Sequence, residues 1–336
     1  MLSLKPPADL ALLYNQFNNT FPEKDNDPVN VVHSKYYDID EIQTLKFPNK
    51  HKSLSLFHIN ACSLNKNFDD LEHLLKCTNK AFDIIAVTET RITKQSSLTT
   101  NINLTNYAIE FTPTESSAGG TLLYIANHLS YKPRPDLNIY KANQLESTFV
   151  EIINPKKGNI VVGCIYKHPT MDVLDFKNNY LGQIFESVSK ERKQVFLLGD
   201  FNINLLNYNC HQPTNDFLDS LASNSFIPYI LHPTRITSHS KTLIDNIFSN
   251  FISPDIISGN ITATISDHLP KFSFVTNILS NPFTQESNYY ERDWSKFKQE
   301  NVILDHFDKD WANLLQIDQQ NVNLSLDSFQ IGRAHV

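Results

Sequence analysis

Apolar runs that end in a polar residue able to do chemistry constrain this chain more than any other feature. In "FLLGDFNINL", residues 196–205, three apolar residues lead into Gly199, Asp200 and Asn202. Side chains alternate along a strand, so Asp200 and Asn202 are expected to point the same way if the strand continues that far. An ordinary turn would also explain Gly, Asp and Asn here. Other strand-like runs end in or contain Asn60, Glu89, Tyr166, Asp245 and the pair Asp267 and His268.

Strand-like runs alternate with a few helical patterns between about residues 53 and 275. The segments "NFDDLEHLLKC" (67–77) and "TMDVLDFKNNYLGQIFESVSKERK" (170–193) carry apolar residues at helical spacing. Strand-rich segments interspersed with helices indicate a layered α/β or α+β sandwich. The strand ends of a sandwich can gather at one rim, so polar residues two hundred positions apart could meet there.

The chain divides into four expected parts. Residues 1–52 contain five prolines and one short helical pattern, "DIDEIQTL", which predicts a loosely packed leader. Residues 53–276 form the compact domain. Residues 277–330 are expected to be a connector with a final helical pattern from Trp294 to Leu315. The last six residues, "IGRAHV" (331–336), match the translation of a common sequencing adapter, so the natural chain is expected to continue differently.

Composition excludes several classes of protein. The 336 residues are 40% hydrophobic, with no run that predicts a membrane span and no signal-peptide pattern. Four widely spaced cysteines give neither a zinc pattern nor a disulfide framework. The net charge of −7 does not itself indicate nucleic-acid binding, although an acidic chain can carry a basic rim around a metal site.

Each candidate residue also has an ordinary structural interpretation. Asn60 could cap the helix that follows or close a turn, Glu89 could lie on the surface, and Tyr166 could be a half-buried strand aromatic. The pair Asp267 and His268 could form a turn before Pro270. Asp245 is harder to explain in this way because strands disfavour aspartate. All of these interpretations would have to hold at once, which makes a shared site the better hypothesis.

Four carboxylates in one cleft would repel one another unless a cation neutralised them. Oxygen ligands of this kind suit Mg²⁺, with Mn²⁺ as a substitute. The sequence therefore predicts a divalent metal as cofactor.

The ordered set resembles the exonuclease-endonuclease-phosphatase superfamily, which has the deoxyribonuclease I-like fold. The resemblance rests on "GDFN" (199–202) and "SDH" (266–268), with Asn60, Glu89, Tyr166 and Asp245 in the family's order. It implies a four-layer sandwich of two packed mixed β-sheets flanked by helices. The segments "NACSL", "AVTETRI", "GGTLLYI", "PTR" and "LIDNIF" are most similar to the apurinic-endonuclease-like domain of a non-LTR (LINE-type) retrotransposon polyprotein.

The resemblance also implies a role for each residue. Glu89, Asn60 and Asp267 would bind the metal. Asp200 would orient or deprotonate the attacking water, with Asn202 fixing its position. Asp245 would orient His268 toward the phosphate, and Tyr166 would assist the phosphate or leaving group. The residues expected to bind substrate are Lys167, Thr234 and Arg235. "YKHP" stands where the family usually has Tyr-Arg-x-Pro, so Lys167 keeps the charge without the fork of arginine. Cys62 stands where a longer polar residue is frequent.

The implied reaction is nicking of a DNA phosphodiester to leave a 3′-hydroxyl, which would prime reverse transcription, and a 5′-phosphate. The expected partners are DNA and, through downstream domains, the element's RNA, with no membrane. Synthesis in the cytoplasm and action in the nucleus follow from that role. The alternatives are a phosphatase acting on inositol phosphates, a sphingomyelin phospholipase, a repair endonuclease for abasic sites and a DNA-binding module with weak or no catalysis.

Overall fold

The computed structural model describes residues 32–46, 52–96, 101–253 and 255–280. These residues all lie in the unit Met1–Pro282. The final helical pattern, Trp294 to Leu315, and the last six residues lie outside the described part. No helix in the described part is long and apolar enough to cross a membrane.

Sixteen strands are found among the described residues. They are β1 (Val32–Tyr37), β2 (Leu54–Asn60), β3 (Ile84–Thr88), β4 (Tyr107–Thr112), β5 (Thr121–Ala126), β6 (Tyr131–Pro133), β7 (Tyr140–Lys141), β8 (Leu145–Ile152), β9 (Ile160–Lys167), β10 (Gln194–Asp200), β11 (Ile227–Pro228), β12 (Arg235–Ile236), β13 (Lys241–Thr242), β14 (Asp245–Ser249), β15 (Ile256–Ile261) and β16 (Lys271–Val275). The α-helices are α1 (Ile39–Thr44), α2 (Leu64–Thr78), α3 (Val173–Asp175), α4 (Gly182–Glu191) and α5 (Gln212–Ser223). A π-helical segment, Phe176–Leu181, joins α3 to α4, and a 3₁₀ turn spans Leu205–Asn207.

The strands form two large mixed sheets. Sheet A has the order β1-β15-β16-β2-β3-β5-β4, and sheet B has the order β11-β14-β10-β9-β8-β6, with β7 paired to β8. Pairing is parallel between β1 and β15, β2 and β3, and β9 and β10. Strands β12 and β13 make a separate small hairpin.

The core is built by strands that are buried on both faces. In β2, Leu54 and Leu56 pack between the two sheets, whereas Phe57 and Ile59 pack in the cluster that contains Leu71 of α2. Strand β3 alternates in the same way. Apolar residues of α4 and α5 join the larger cluster from the other side of sheet B. Such runs read as continuously apolar because neither face meets water. The result is the predicted four-layer sandwich of two mixed sheets flanked by helices.

Strand β1 corrects the expectation of a loosely packed leader for part of residues 1–52. It lies parallel to β15 at the edge of sheet A, and Tyr36 and Tyr37 are buried. The Tyr36 hydroxyl donates to the carbonyl of Pro233 at 2.9 Å. The sequence "VHSKYY" hides this strand because polar residues interrupt its apolar ones. A fragment that keeps sheet A complete therefore begins no later than Val32.

The topology brings the predicted site residues to one edge of the sandwich. The parallel strands β2 and β3 end beside each other in sheet A, and β9 and β10 do so in sheet B. Strand β14 runs antiparallel to β10, so its first residue, Asp245, lies opposite Asp200. The predicted rim of strand ends is thus present in the fold.

Candidate active site

Asn60 connects the two sheets at this rim. It is the last residue of β2, and its Nδ2 donates to Glu89 Oε1 at 3.0 Å and to Asp200 Oδ2 at 2.8 Å. Its Oδ1 accepts from the backbone N–H of Cys62 at 3.0 Å. Asn60 is completely buried, so these contacts fix its amide. The interpretation of Asn60 as a helix cap does not hold, since Ser63 occupies the N-cap of α2.

Asp200 and Asp245 form a buried pair of like charges. They are register partners on β10 and β14, and both side chains are buried. Burial and the neighbouring charge of Asp245 raise the pKa of Asp200 to about 7. The backbone N–H of Asn202 donates to Asp200 Oδ1 at 3.0 Å and Asn60 donates to Oδ2, so both oxygens are oriented.

Asp245 orients His268. The imidazole Nδ1 lies 2.9 Å from Asp245 Oδ2, and because a carboxylate only accepts, Nδ1 carries the proton. Thr234 Oγ1 donates to the same oxygen at 2.7 Å. Burial alone would lower the pKa of His268, but the charge and hydrogen bond of Asp245, together with the charge of Asp200, outweigh burial and raise the pKa. Burial likewise opposes ionisation of Asp245, yet the charges of His268 and Lys271 lower its pKa.

Glu89 and Asp267 lie at the more open side of the site, each beside an exposed arginine. Glu89 Oε2 accepts from Arg91 at 3.1 Å, and Asp267 Oδ2 lies 2.6 Å from Arg235 Nη2. Cys62 Sγ lies 3.4 Å from Asp267 Oδ1. Burial, together with the charges of these two carboxylates, raises the pKa of Cys62 to about 12, so its thiol stays protonated. All four cysteines are free.

Tyr166 faces the site, whereas the side chain of Asn202 turns away from it. The Tyr166 hydroxyl donates to Glu89 Oε1 at 3.3 Å, and burial raises its pKa, so it remains a donor. Asn202 Nδ2 donates to the carbonyl of Lys167 at 2.8 Å. The expectation that Asp200 and Asn202 point the same way required the strand to continue, but β10 ends at Asp200 and Asn202 has a positive φ of 48°.

Only Arg235 among the three predicted substrate-binding residues is exposed. Thr234 is buried and bonds Asp245, which makes it a support for that carboxylate. Lys167 is also buried, with Nζ 3.3 Å from the carbonyl of His168, and burial lowers its pKa to about 8. Neither side chain offers a surface charge to a substrate in this structure.

Two groups of residues could hold a cation. Ligand atoms of Asp200, Asp245 and His268 lie within 4.8 Å of one another. Both Asp245 oxygens, however, face the buried donors His268 and Lys271, which a cation would displace, whereas the arginines beside Glu89 and Asp267 are exposed and can turn to solvent. The second group, Glu89, Asn60 and Asp267, supplies carboxylate and amide oxygens at the more open side, which is the chemistry that Mg²⁺ prefers. The second group fits a magnesium ion better.

Two further residues of the site were not predicted from the sequence. Lys271 is completely buried, and its Nζ lies 3.0 Å from Asp245 Oδ1. His58 is also buried, with Nε2 3.1 Å from Thr88 Oγ1. A lysine inside the apolar run "LPKFSFV" was the available signal, because lysine is almost never fully buried without a partner.

Comparison with known proteins agrees with this geometry. A sequence model of the Endonuclease/Exonuclease/phosphatase family matches residues 58–268, more than half of the chain. The chain therefore belongs to the Endonuclease/Exonuclease/phosphatase family, whose superfamily includes hydrolases that act on phosphodiesters. Among curated proteins, no sequence gives a significant match.

Solved structures share the fold at low identity. The catalytic domain of APE2 from Xenopus laevis is 17% identical, with a TM-score of 0.50, over 68% of this chain and 94% of that one. AP endonuclease LMAP from Leishmania major is 11% identical, with a TM-score of 0.51, over 81% and 99%. The endonuclease domain of TRAS1, a telomere-specific non-LTR retrotransposon, is 13% identical, with a TM-score of 0.48, over 67% and 99%. The first two confirm the deoxyribonuclease I-like architecture.

Proposed function

We propose that this protein is a metal-dependent DNA endonuclease that nicks one phosphodiester and leaves a 3′-hydroxyl and a 5′-phosphate. The observation that carries the proposal is the Asn60 amide, which joins Glu89 at 3.0 Å to Asp200 at 2.8 Å. Beside them stands the buried pair of Asp245 and His268. Hydrolysis of a phosphodiester needs a group that activates water and a group that stabilises charge on the phosphate, and this arrangement offers both.

Asp200 is assigned to the attacking water. Its raised pKa, about 7, makes it a competent proton acceptor near neutral pH. The backbone N–H of Asn202 and the amide of Asn60 fix its two oxygens, so that the carboxylate needs little reorganisation. Asn202 acts through this backbone contact and not through its side chain.

His268 is assigned to the phosphate. Asp245 accepts from Nδ1, which leaves Nε2 on the opposite side of the ring for a phosphate oxygen or the leaving group. Thr234 supports Asp245 from the other side. Tyr166 donates its protonated hydroxyl into the same region, where it would stabilise developing negative charge.

Mg²⁺, with Mn²⁺ as a substitute, is the proposed cofactor. Glu89, Asn60 and Asp267 would hold it, and it would supply Lewis-acid stabilisation of a phosphate oxygen. Asn60 would then serve through Oδ1, while its Nδ2 keeps Asp200 in place. Arg91 and Arg235 shield the two carboxylates in the absence of the cation and are free to turn to phosphates once it binds.

DNA is the proposed substrate because the rim of the site presents exposed cations. Arg235 opens the hairpin β12–β13, and Lys241 on β13 is also exposed. Phosphate contacts of this kind supply most of the affinity for DNA. The retrotransposon role rests on the sequence resemblance: the nick would prime reverse transcription in the nucleus, with the element's RNA bound by downstream domains.

A side-by-side assay tests the proposal. Supercoiled plasmid, a plasmid with abasic sites and an inositol phosphate are each incubated with the protein, with Mg²⁺ or with a chelator. We expect nicked circles from intact plasmid with Mg²⁺ only, and ends that a polymerase extends without treatment. Release of phosphate from the inositol phosphate without nicking would assign the protein to the phosphatases. Nicking confined to the abasic plasmid would make it a repair enzyme, and inactivity on all three with retained DNA binding would favour a binding module.

A further inference from the structure

Lys271 lies where a lysine is costly. It is the first residue of β16, an internal strand of sheet A, and its side chain is completely buried. Its register partner on β2 is His58, which is also buried. Burial lowers the pKa of His58, and the charge of Lys271 lowers it further, so the imidazole stays neutral and adds no positive charge. An isolated buried ammonium costs several kcal/mol unless it is compensated.

The compensation comes from the other sheet. Lys271 Nζ lies 3.0 Å from Oδ1 of Asp245, which belongs to β14 of sheet B. His268 Nδ1 lies 3.1 Å from Oδ1 and 2.9 Å from Oδ2, and Oδ2 also accepts from Thr234. Asp245 is therefore held by the ammonium at Oδ1, by the hydroxyl at Oδ2 and by the imidazole at both oxygens.

A purely structural link would not need this charge. Thr234 shows that a neutral hydroxyl satisfies an Asp245 oxygen at the same depth. What the ammonium adds is a positive charge beside two buried carboxylates, Asp245 and its register partner Asp200. Repulsion between those carboxylates would otherwise favour displacement or protonation of Asp245, and either change would release His268.

We propose that Lys271 is a positioning residue of the reaction: its ammonium holds Oδ1 of Asp245, so that the carboxylate aims the His268 ring at the phosphate. This rests on the proposed function. Lys271 contacts neither DNA nor water in the reaction and acts through Asp245. Removing its charge should therefore slow the chemical step and leave the binding of DNA as it is.

Lys271→Met tests the proposal because methionine fills a similar volume without the charge. We expect kcat for plasmid nicking to fall between about tenfold and a hundredfold, as when a group that orients a catalytic side chain is lost. KM should change less than about twofold, since surface phosphate contacts set it. The matched control is Ser273→Ala, two residues along the same strand, which removes a buried hydrogen bond to Ser258 and should leave kcat unchanged.

A double-mutant cycle shows whether Lys271 acts through Asp245. In the Asp245→Asn background, Lys271→Met should lower kcat by less than about twofold, since the carboxylate that it orients is gone. The neutral pair also removes both buried charges, so Asp245→Asn/Lys271→Met should unfold at a higher temperature than Lys271→Met alone. An equal loss of kcat in both backgrounds, or wild-type kcat in Lys271→Met, would overturn the proposal.

A measurement without DNA separates this proposal from the nuclease function. In ¹⁵N-labelled protein with chelator, the proton on His268 Nδ1 should resonate further downfield in Lys271→Met, because an uncompensated Asp245 accepts more strongly. Ser273→Ala should leave the resonance in place. An unshifted resonance in Lys271→Met would overturn the positioning role. If the resonance shifts in Lys271→Met but the wild type does not nick plasmid, the proposed nuclease function would be wrong. The positioning of Asp245 by Lys271 would still be supported.

Discussion

Two clusters of charged side chains lie at opposite ends of the strands of sheet B. The site cluster, at the ends of β9 and β10, comprises Glu89, Asp200, Asp245, Asp267, His268 and Lys271. The far-end cluster, roughly 20 Å away by the rise of a strand, comprises Arg134, Asp136, Glu151, Glu191 and Lys193. Both bury charge against the same core, but they compensate it differently.

In the far-end cluster every carboxylate has a cation. Glu151 lies 2.8 Å from Arg134 Nη1 and 2.8 Å from Lys193 Nζ. Burial would raise its pKa, but Lys193, Asn159 and Arg134 outweigh burial and lower it to about 2. Hydrogen bonds from Arg134 also lower the pKa of Asp136 and Glu191. Each carboxylate of this cluster therefore has a cationic partner within the fold, and the cluster links β6, β8 and α4.

The site cluster is short of positive charge. Within the described part of the chain, Asp200 has hydrogen bonds to Asn60 and Asn202 and no ion pair, and its pKa is raised to about 7. Among the described residues, the ion-pair partners of Glu89 and Asp267 are the exposed arginines Arg91 and Arg235. The difference teaches that the far-end cluster balances its buried charge within the fold, whereas the site cluster buries Asp200 without a cation, a charge that the proposed metal and substrate would balance.

The largest expected effect is at the far end. Arg134→Met leaves Glu151 with Lys193, the more exposed Lys132 and the amide of Asn159. It should lower the free energy of unfolding by about 3 kcal/mol, as for other broken buried ion pairs. The rate of nicking per folded molecule should stay within about twofold of wild type. Urea denaturation and a plasmid assay check the two parts. A hundredfold slower reaction in folded Arg134→Met would contradict the assignment of the far-end cluster to stability alone.

In the site cluster, by contrast, a substitution should reduce the rate of nicking. His268→Ala should slow nicking at least about a hundredfold, near 2.7 kcal/mol in the barrier, with DNA affinity in chelator almost unchanged. Asp245→Asn should cost the same or less, and the double variant should be little worse than His268→Ala, since the two side chains act as one unit. Rates and gel shifts of the four proteins make the comparison. Losses that simply multiply would refute the oriented imidazole.

Asp200→Asn should stabilise the metal-free protein at alkaline pH. The folded protein holds the proton of Asp200 up to about pH 7, whereas the unfolded chain releases it near the ordinary pKa of 3.8. The free energy of unfolding therefore decreases as the pH rises from the lower of these pKa values to the higher one. Asparagine is always neutral, so the variant does not show this decrease. After subtraction of the cost of one lost hydrogen bond, the free energy of unfolding of Asp200→Asn should exceed that of the wild type by about 2 kcal/mol at pH 8, and this difference should shrink toward pH 5. Denaturation in chelator at both pH values measures it, and a pH-independent difference would contradict the raised pKa.

The smallest effect concerns the rim. Arg235→Ala should weaken DNA binding several-fold and lower the slope of log affinity against log salt by about one, as for one lost phosphate contact. Arg235→Lys should recover most of the salt slope because it keeps the charge. Fluorescence anisotropy at several salt concentrations gives both values. An unchanged slope in Arg235→Ala would remove Arg235 from the substrate contacts.

The continuous apolar runs of the strands predicted a layered sandwich, and the family resemblance, carried by the polar residues at their ends, added the two mixed sheets. The same contrast located Asn60, Glu89, Asp200, Asp245 and His268. Strand β1 was missed because "VHSKYY" mixes polar and apolar residues, and its partner, β15, lies more than two hundred residues away.

The orientation of individual side chains could not be predicted from the sequence. Asn202 turns to Lys167 because its backbone has a positive φ, and Thr234 is drawn inward by Asp245. Lys271 could be recognised as important only once its partner on the other sheet was known. Pairing across two sheets leaves no periodic signal in the chain, in contrast to pairing along one helix or strand.

The central claim is that the site cluster needs an added divalent cation and the far-end cluster does not. Two matched changes, Glu89→Gln and Glu151→Gln, test it by thermal unfolding with increasing Mg²⁺. Mg²⁺ should raise the unfolding temperature of the wild type and of Glu151→Gln by a similar few degrees, because binding to the folded state alone stabilises it. Glu89→Gln should lose most of that shift, even though Glu151→Gln starts from the lower unfolding temperature. A full Mg²⁺ shift in Glu89→Gln, or a lost shift in Glu151→Gln, would contradict the account.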